Sequence, residues 1–95
     1  MEELLDVIQK MRISRGWDKT DTIPILIKSV SVEAAELLET IQWDDENLKI
    51  DEIKSELADV LMYALSICID LSVDVTEMVK EKIENVYMRY PEKND

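Results

Sequence analysis

Hydrophobic residues recur along most of the chain at steps of three and four, which is the period of amphipathic helices rather than of strands. The first such segment covers residues 2–14 and ends before Gly16. A second, longer segment starts at Thr22, a residue type that caps helices, and has Pro24 in its first turn. This pattern predicts a second helix over about residues 22–42.

Two further helices are predicted in the second half of the chain, after a polar loop. Residues 52–71 contain thirteen apolar residues and follow Asp51, an acceptable N-cap. Asp74 and Glu77 show capping-box spacing at the start of a fourth helix, which extends to about Arg89. The chain is therefore predicted to form an all-α four-helix bundle.

One face of the fourth helix carries an apolar stripe that we expect to be buried. The stripe consists of Val75, Met78, Val79, Ile83 and Val86. Lys82 and Arg89 fall within the same stripe. The third helix is apolar over more than half of its circumference, more than a small monomer usually requires. We therefore expect a homo-oligomer, a dimer or a tetramer, in which a second chain covers part of that helix.

Length and composition support a single domain over residues 1–95. A chain of 95 residues is too short for two hydrophobic cores, and one Gly with two Pro is too few for a many-stranded sandwich or barrel. The net charge of −11 disfavours binding to nucleic acid polymers and to anionic membranes. No apolar run reaches the ~18–20 residues of a membrane-spanning helix, because Asp59, Ser66 and Asp70 interrupt the longest one.

The cysteine and histidine content limits the cellular compartments and the kinds of chemistry that we expect for this chain. The single Cys68 cannot form an internal disulfide, and the acidic N-terminus does not resemble a secretion signal. Both features predict a cytoplasmic protein. The absence of histidine removes the commonest zinc ligand and the usual base of nucleophilic triads, so the chemistry is expected to depend on carboxylates.

Acidic residues recur at helical spacing on the second and third predicted helices. They are Glu33, Glu36 and Glu39 on the second helix and Glu52, Glu56 and Asp59 on the third. Residues three apart share a face, so the pair Glu33 and Glu36 would face the other helix's pair if the helices pack antiparallel. Burying such a cluster is unfavourable unless protons or a cation neutralise it. The alternative is a solvated acidic face, and spacing alone does not decide between the two.

Oxygen ligands without Cys or His select hard cations, and Mg²⁺ binds carboxylates together with water and substrate phosphates. A phosphorylated substrate also requires cationic side chains, for which Lys82 and Arg89 are candidates. Trp17 and Trp43 flank the second helix and could stack on a base. Each of these residues has a structural alternative, in which the long cations extend past the core into water and the tryptophans anchor loops.

The two acidic motifs, Glu33-x-x-Glu36 and Glu56-x-x-Asp59, are separated by nineteen residues. Further motifs lie around them at residues 15–17, 31–39, 41–43, 56–63 and 82–91. In this order and spacing they resemble the all-α nucleoside triphosphate pyrophosphohydrolases, the MazG-like superfamily that includes the dCTP pyrophosphatases. Each acidic pair alone is weak evidence for this family. The full set of motifs is specific for it and extends over nearly the whole chain.

The resemblance implies cleavage of a (deoxy)nucleoside triphosphate between its α and β phosphates, which releases a monophosphate and pyrophosphate, in nucleotide-pool house-cleaning. It implies Mg²⁺, with Mn²⁺ as an alternative, bound by Glu33, Glu36, Glu56 and Asp59. It also implies a nucleoside pocket with Trp17, Trp43 and Tyr63, and phosphate contacts from Lys82, Asn85 and Arg89.

The general base would be one of these four carboxylates or Glu39, one helical turn further on, and we favour Glu36 as a hypothesis. The chain departs from many relatives at residues 20–22, where an aromatic residue or His often precedes the helix, and it contains no Phe, which leaves base specificity open. The alternative function is that of a non-catalytic helical module that binds nucleotides, metals or another protein.

Overall fold

The computed structural model describes residues 1–92, which form five α-helices and no strand. The helices are α1 (Glu2–Ser14), α2 (Trp17–Thr20), α3 (Ile23–Glu39), α4 (Ile50–Leu71) and α5 (Val75–Arg89). The predicted all-α fold is confirmed, with one short helix more than the hydrophobic pattern indicated. No helix in this part of the chain has the length and apolar character needed to cross a membrane.

The additional helix, α2, is a single turn between α1 and α3. It follows Gly16, whose φ of 74° is the left-handed conformation that glycine adopts without steric penalty. Four residues are too few to display a 3.6-residue period, so the sequence pattern could not separate this turn from a loop.

Two helix boundaries differ from the prediction. α3 ends at Glu39 rather than near residue 42, and the Thr40 hydroxyl donates a 2.7 Å hydrogen bond to the Leu37 carbonyl at this end. α4 starts at Ile50, so Asp51 lies in its first turn and is not the N-cap residue. Its negative charge there interacts favourably with the positive end of the helix dipole. A loop of polar residues connects the two helices.

The side-chain caps of α3 and α5 agree with the prediction. Thr22 accepts a hydrogen bond from the Ile25 backbone N–H at 3.4 Å, and Asp74 accepts one from the Glu77 N–H at 3.0 Å. These local interactions fix the starts of both helices.

The closest packing in the chain joins α3 and α4 as an antiparallel pair. Near the start of α3, Leu26 lies beside Met62 and Ser66 of α4, whereas just past its end Ile41 lies beside Ile53. The buried apolar residues are Ile8, Leu26, Leu65 and Cys68. The core is therefore small and lies between α1 and this helix pair.

A partly buried ion pair attaches α1 to the end of α4. The Arg12 guanidinium donates two hydrogen bonds to the Asp70 carboxylate, at 3.0 and 2.9 Å, and a third to Gln9 at 3.0 Å. Arg12 is 2% exposed, so its guanidinium has lost its hydrogen bonds to water, and these three bonds replace them.

We predict that Asp70→Ala lowers the free energy of unfolding by about 2 kcal/mol, because it leaves Arg12 buried without its partner. The value is below that for a fully buried pair because the Asp70 side chain remains 24% exposed. Urea denaturation at fixed protein concentration measures the change. Asp6→Ala, at an exposed position of α1, is the control. An equal, small effect of both substitutions would contradict the prediction.

The apolar stripe of α5 is exposed in the single chain, contrary to the prediction that it is buried. Four of its five apolar residues, Met78, Val79, Ile83 and Val86, are between 39% and 47% exposed, whereas Val75 at the start of the helix is half-buried. The physical reason is that α5 packs closely against none of the other helices. Lys82 and Arg89, which belong to this stripe, are consequently also exposed.

The accessible surface of the chain is larger than a compact monomer of its mass would have. It measures 7757 Å², whereas about 5,700 Å² is typical for 11.1 kDa. The excess of about 2,000 Å² exceeds the roughly 800 Å² that each partner contributes to a standard interface. It includes the apolar stripe of α5 and apolar residues of α4 such as Leu57 and Leu61.

We therefore predict a homo-dimer or homo-tetramer in which another copy of the chain covers this surface. Ile83→Lys places a charge in the stripe and is expected to dissociate the oligomer, as measured by light scattering. Glu84→Lys, on the opposite side of α5, is the control and is expected to leave the mass unchanged. A stable monomer of the unchanged chain at micromolar concentration would contradict the prediction.

Candidate metal centre

Four carboxylates converge between the antiparallel helices α3 and α4. One oxygen atom from each carboxylate lies within 4.8 Å of the corresponding atoms of the other three. The four residues are Glu33, Glu36, Glu56 and Asp59. All four are partly buried, so the arrangement is not the fully solvated acidic face that the sequence left as an alternative.

The environment of the cluster opposes the charges that it carries. Proximity to the Glu36 carboxylate, with which Glu33 can share a proton, raises the pKa of Glu33 from 4.5 to about 7, and burial and nearby negative charges add to the effect. Burial and the neighbouring Glu36 also raise the pKa of Glu56. Without a cation, the cluster therefore tends to retain a proton near neutral pH.

Two carboxylate oxygens of the cluster are buried without a hydrogen-bond partner, Oε2 of Glu33 and Oε2 of Glu56. Orphaned buried acceptors are rare in folded proteins and require an explanation such as a bound ion. Among residues 1–92, Arg12 and Asp70 form the only ion pair, so no Lys or Arg neutralises the cluster. An all-oxygen donor set of this kind fits a hard divalent cation such as Mg²⁺.

Two open spaces flank the cluster along the helix pair. Beyond it, toward the end of α3, lies a polar cleft of about 350 Å³. The cleft is lined by Glu36, Glu39, Thr40, Glu52, Ser55 and Glu56. On the other side, a small cavity of about 40 Å³ lies between α2 and the helix pair. It is lined by Met11, Arg12, Trp17, Asp21, Leu26, Met62, Tyr63 and Ser66.

Of the three residues predicted to line the nucleoside pocket, two line this cavity and the third is exposed to solvent. Trp17 and Tyr63 line the cavity together, and burial, followed by the charge of Glu33, raises the pKa of the Tyr63 hydroxyl. Tyr63 therefore lies between the cavity and the carboxylates. Trp43 is 89% exposed in the loop after α3 and does not line the cavity.

The predicted phosphate residues all lie on α5. Lys82 and Asn85 border an open groove along that single helix, and the Arg89 guanidinium lies 5.7 Å from the centre of the Tyr90 ring. Within one chain the structure does not pack this helix closely against α3 or α4. These three residues are therefore not brought to the carboxylates by the fold of a single copy.

Sequence reasoning missed three polar residues of the cavity, Arg12, Asp21 and Ser66. Ser66 follows Tyr63 by three residues on α4, so helical spacing could have found it. Asp21 and Arg12 belong to other elements, and no local periodicity connects them to Tyr63.

Comparisons with known proteins identify the family of the chain. The model of the MazG-like family matches residues 28–95, and the chain belongs to that family. Among solved structures, the chain resembles a pyrophosphatase from Archaeoglobus fulgidus DSM 4304 with 42% sequence identity and a TM-score of 0.90. The match covers 97% of this chain and 93% of that one. No curated protein matches the chain.

The raised pKa of Glu33 predicts a pH-dependent stability of the metal-free protein. Its folded pKa of about 7 exceeds the ordinary 4.5, so the contribution is present at low pH and is lost as the pH rises through about 7. The melting temperature of the metal-free chain should therefore fall between about pH 5 and pH 8.

Glu33→Gln should reduce this fall and raise the metal-free melting temperature at about pH 8, since it removes one of the repelling charges. Glu84→Gln, an exposed position on α5, serves as the matched control. Identical pH profiles for the unchanged chain and Glu33→Gln would contradict the interpretation.

Proposed function

We propose that this protein is a divalent-cation-dependent nucleoside triphosphate pyrophosphohydrolase that cleaves between the α and β phosphates. The observation that carries the proposal is the four-carboxylate cluster with its two orphaned buried oxygens. Membership of the MazG-like family and the resemblance to a pyrophosphatase support pyrophosphatase activity in general. The cluster adds the oxygen ligands that a cation bridging to phosphates requires.

Four residues would hold Mg²⁺, or Mn²⁺ in its place: Glu33, Glu36, Glu56 and Asp59. When bound, such a cation neutralises charge on the phosphates and favours in-line attack by water. The chain itself holds the four carboxylates in fixed positions, because both acidic pairs project from packed helices rather than from loops. Orientation of reacting groups on such elements is a large part of phosphoryl-transfer catalysis.

Glu36 is our choice for the general base. It approaches both Glu33 and Glu56, and it also lines the open polar cleft. It is thus a carboxylate with access to the cluster and to bulk water, as a group that removes a proton from water requires.

The substrate is proposed to lie along the helix pair. With its base beside Trp17 and Tyr63, a nucleotide would extend its phosphates over the carboxylates and toward the polar cleft. Pyrophosphate would then leave through the open side of that cleft.

Successive turns of α4 carry residues for each part of this arrangement. From the cavity toward the polar cleft they are Tyr63, Asp59 and Glu56. Each step is three or four residues, which keeps all three side chains on one face of the helix. The base, the cleaved bond and the departing phosphates are thereby assigned to successive turns of the same helix.

Lys82, Asn85 and Arg89 are proposed to contact the phosphates within the homo-oligomer. All three lie on α5, which carries the exposed stripe that another copy is expected to cover. The carboxylates have no basic partner within residues 1–92, so cations for an anionic substrate must come from outside the cluster. We also propose a cytoplasmic location, since Cys68 is a free thiol.

We predict that Glu56→Gln and Asp59→Asn each lower Mg²⁺-dependent pyrophosphate release from nucleoside triphosphates by at least about 100-fold, because each removes a direct ligand. Both variants should remain folded by circular dichroism. Glu84→Gln, with the same chemical change at an exposed position, should retain the activity of the unchanged chain.

Two results would contradict the proposal. Undiminished turnover in Glu56→Gln and Asp59→Asn would mean that these carboxylates are not the site. Binding of Mg²⁺ and nucleotide by the unchanged chain without pyrophosphate release would instead identify a non-catalytic binding module.

A further inference from the structure

The loop after α3 exposes a tryptophan that little else in the single chain covers. At 89%, Trp43 has the largest exposed fraction among the large apolar side chains of residues 1–92. The loop is ordered, because the Asp44 carboxylate accepts hydrogen bonds from the backbone N–H groups of Glu46 and Asn47, both at 3.2 Å. A fixed turn therefore holds the indole out into water, although an aromatic side chain of this size can bury ~150–250 Å² in a packed environment.

An apolar groove lies next to this loop, at the end of the α3–α4 pair. Its volume is about 300 Å³. It is lined by Ala34, Leu37, Leu38, Thr40, Ile41 and Ile53. Of these residues only Thr40 also lines the polar cleft, so the groove is separate from the carboxylate cluster. Ile41 precedes Trp43 by two residues, so the groove and the exposed indole belong to one apolar patch.

The occupant that fits this patch is a second copy of the chain. The accessible surface exceeds that of a compact monomer by about 2,000 Å², more than twice the roughly 800 Å² per partner of a standard interface. That surface has room for an interface at this patch besides the one predicted at the α5 stripe. A two-fold interface joins the same patch on both copies, and this patch has both a protruding side chain and a groove to receive it. Tryptophan is also among the residue types that contribute most to binding at interfaces.

The charges around the patch are of both signs. The loop carries Asp44, Asp45 and Glu46. Lys54, which follows the groove residue Ile53 on α4, is exposed and forms no ion pair within residues 1–92. Docking of the loop on the groove of another copy brings its carboxylates toward the lysine of that copy. Charges of opposite sign then face each other, which favours this pairing over one of loop against loop.

We propose that Trp43 anchors an interface between two copies of the chain, in which the indole of each copy occupies the apolar groove of the other. This inference does not depend on hydrolysis. It gives Trp43 a role other than the nucleoside contact that the family resemblance implied.

Fluorescence of Trp43 alone tests the inference. Trp17→Phe leaves Trp43 as the only tryptophan. Where light scattering shows an oligomer, its emission should lie at shorter wavelength than that of free N-acetyltryptophanamide, because the indole is buried. Adding Leu38→Lys in the groove should return the emission to the longer wavelength. Adding Ile13→Lys, which changes an equally exposed apolar residue of α1 (both are 56% exposed), is the matched control and should leave it unchanged.

The mass of a second variant provides an independent measurement that does not require Trp17→Phe to fold. Trp43→Ala should at least halve the mass measured by light scattering while the circular dichroism spectrum stays helical, because the side chain is exposed within one copy. Ile13→Ala should leave the mass unchanged. An unchanged mass of Trp43→Ala would overturn the inference.

Three fluorescence results would also overturn it. Emission of the oligomer that matches the free indole would mean that Trp43 stays in water. Short-wavelength emission that persists on dilution to single chains would mean that the indole occupies the groove of its own copy. Emission that shifts only when dCTP is added without metal would identify the nucleotide as the occupant. None of these results depends on whether the chain releases pyrophosphate.

Discussion

Mutual repulsion among four carboxylates is the constraint around which this molecule is organised. The packing of α3 against α4 holds Glu33, Glu36, Glu56 and Asp59 together although no basic residue within residues 1–92 neutralises them. Protonation relieves the repulsion only in part, as the raised pKa of Glu33 indicates. A divalent cation would relieve more of it, and its binding would then be linked to folding stability. The cavity and the polar cleft are relevant to function because they lie on either side of this carboxylate cluster.

The other helices bury few apolar residues against this helix pair. Within residues 1–92 four apolar residues are buried, and α5 packs closely against none of the other helices, with most of its apolar stripe exposed. Because so little apolar surface is buried within one copy, we expect stability to depend on the predicted assembly. The same helix carries Lys82 and Arg89, which connects the predicted assembly to the proposed binding of phosphates.

The first helices contribute one wall of the cavity. The ion pair of Arg12 with Asp70 attaches α1 to α4, and Gly16 then turns the chain so that α2 places Trp17 at the cavity that Tyr63 also lines. Because Arg12 is engaged in this structural role, it does not pair with Asp21.

The sequence by itself determined the features that depend on local interactions. Helical periodicity, the caps Thr22 and Asp74, and the acidic pairs at a spacing of three residues all involve neighbours within one turn. Tertiary structure alone decided that the two acidic pairs face each other, that two of their oxygens are orphaned, and that α5 leaves the bundle. Those features depend on contacts between residues far apart in the chain, and the hydrophobic pattern of a helix shows which face is apolar but not what covers it.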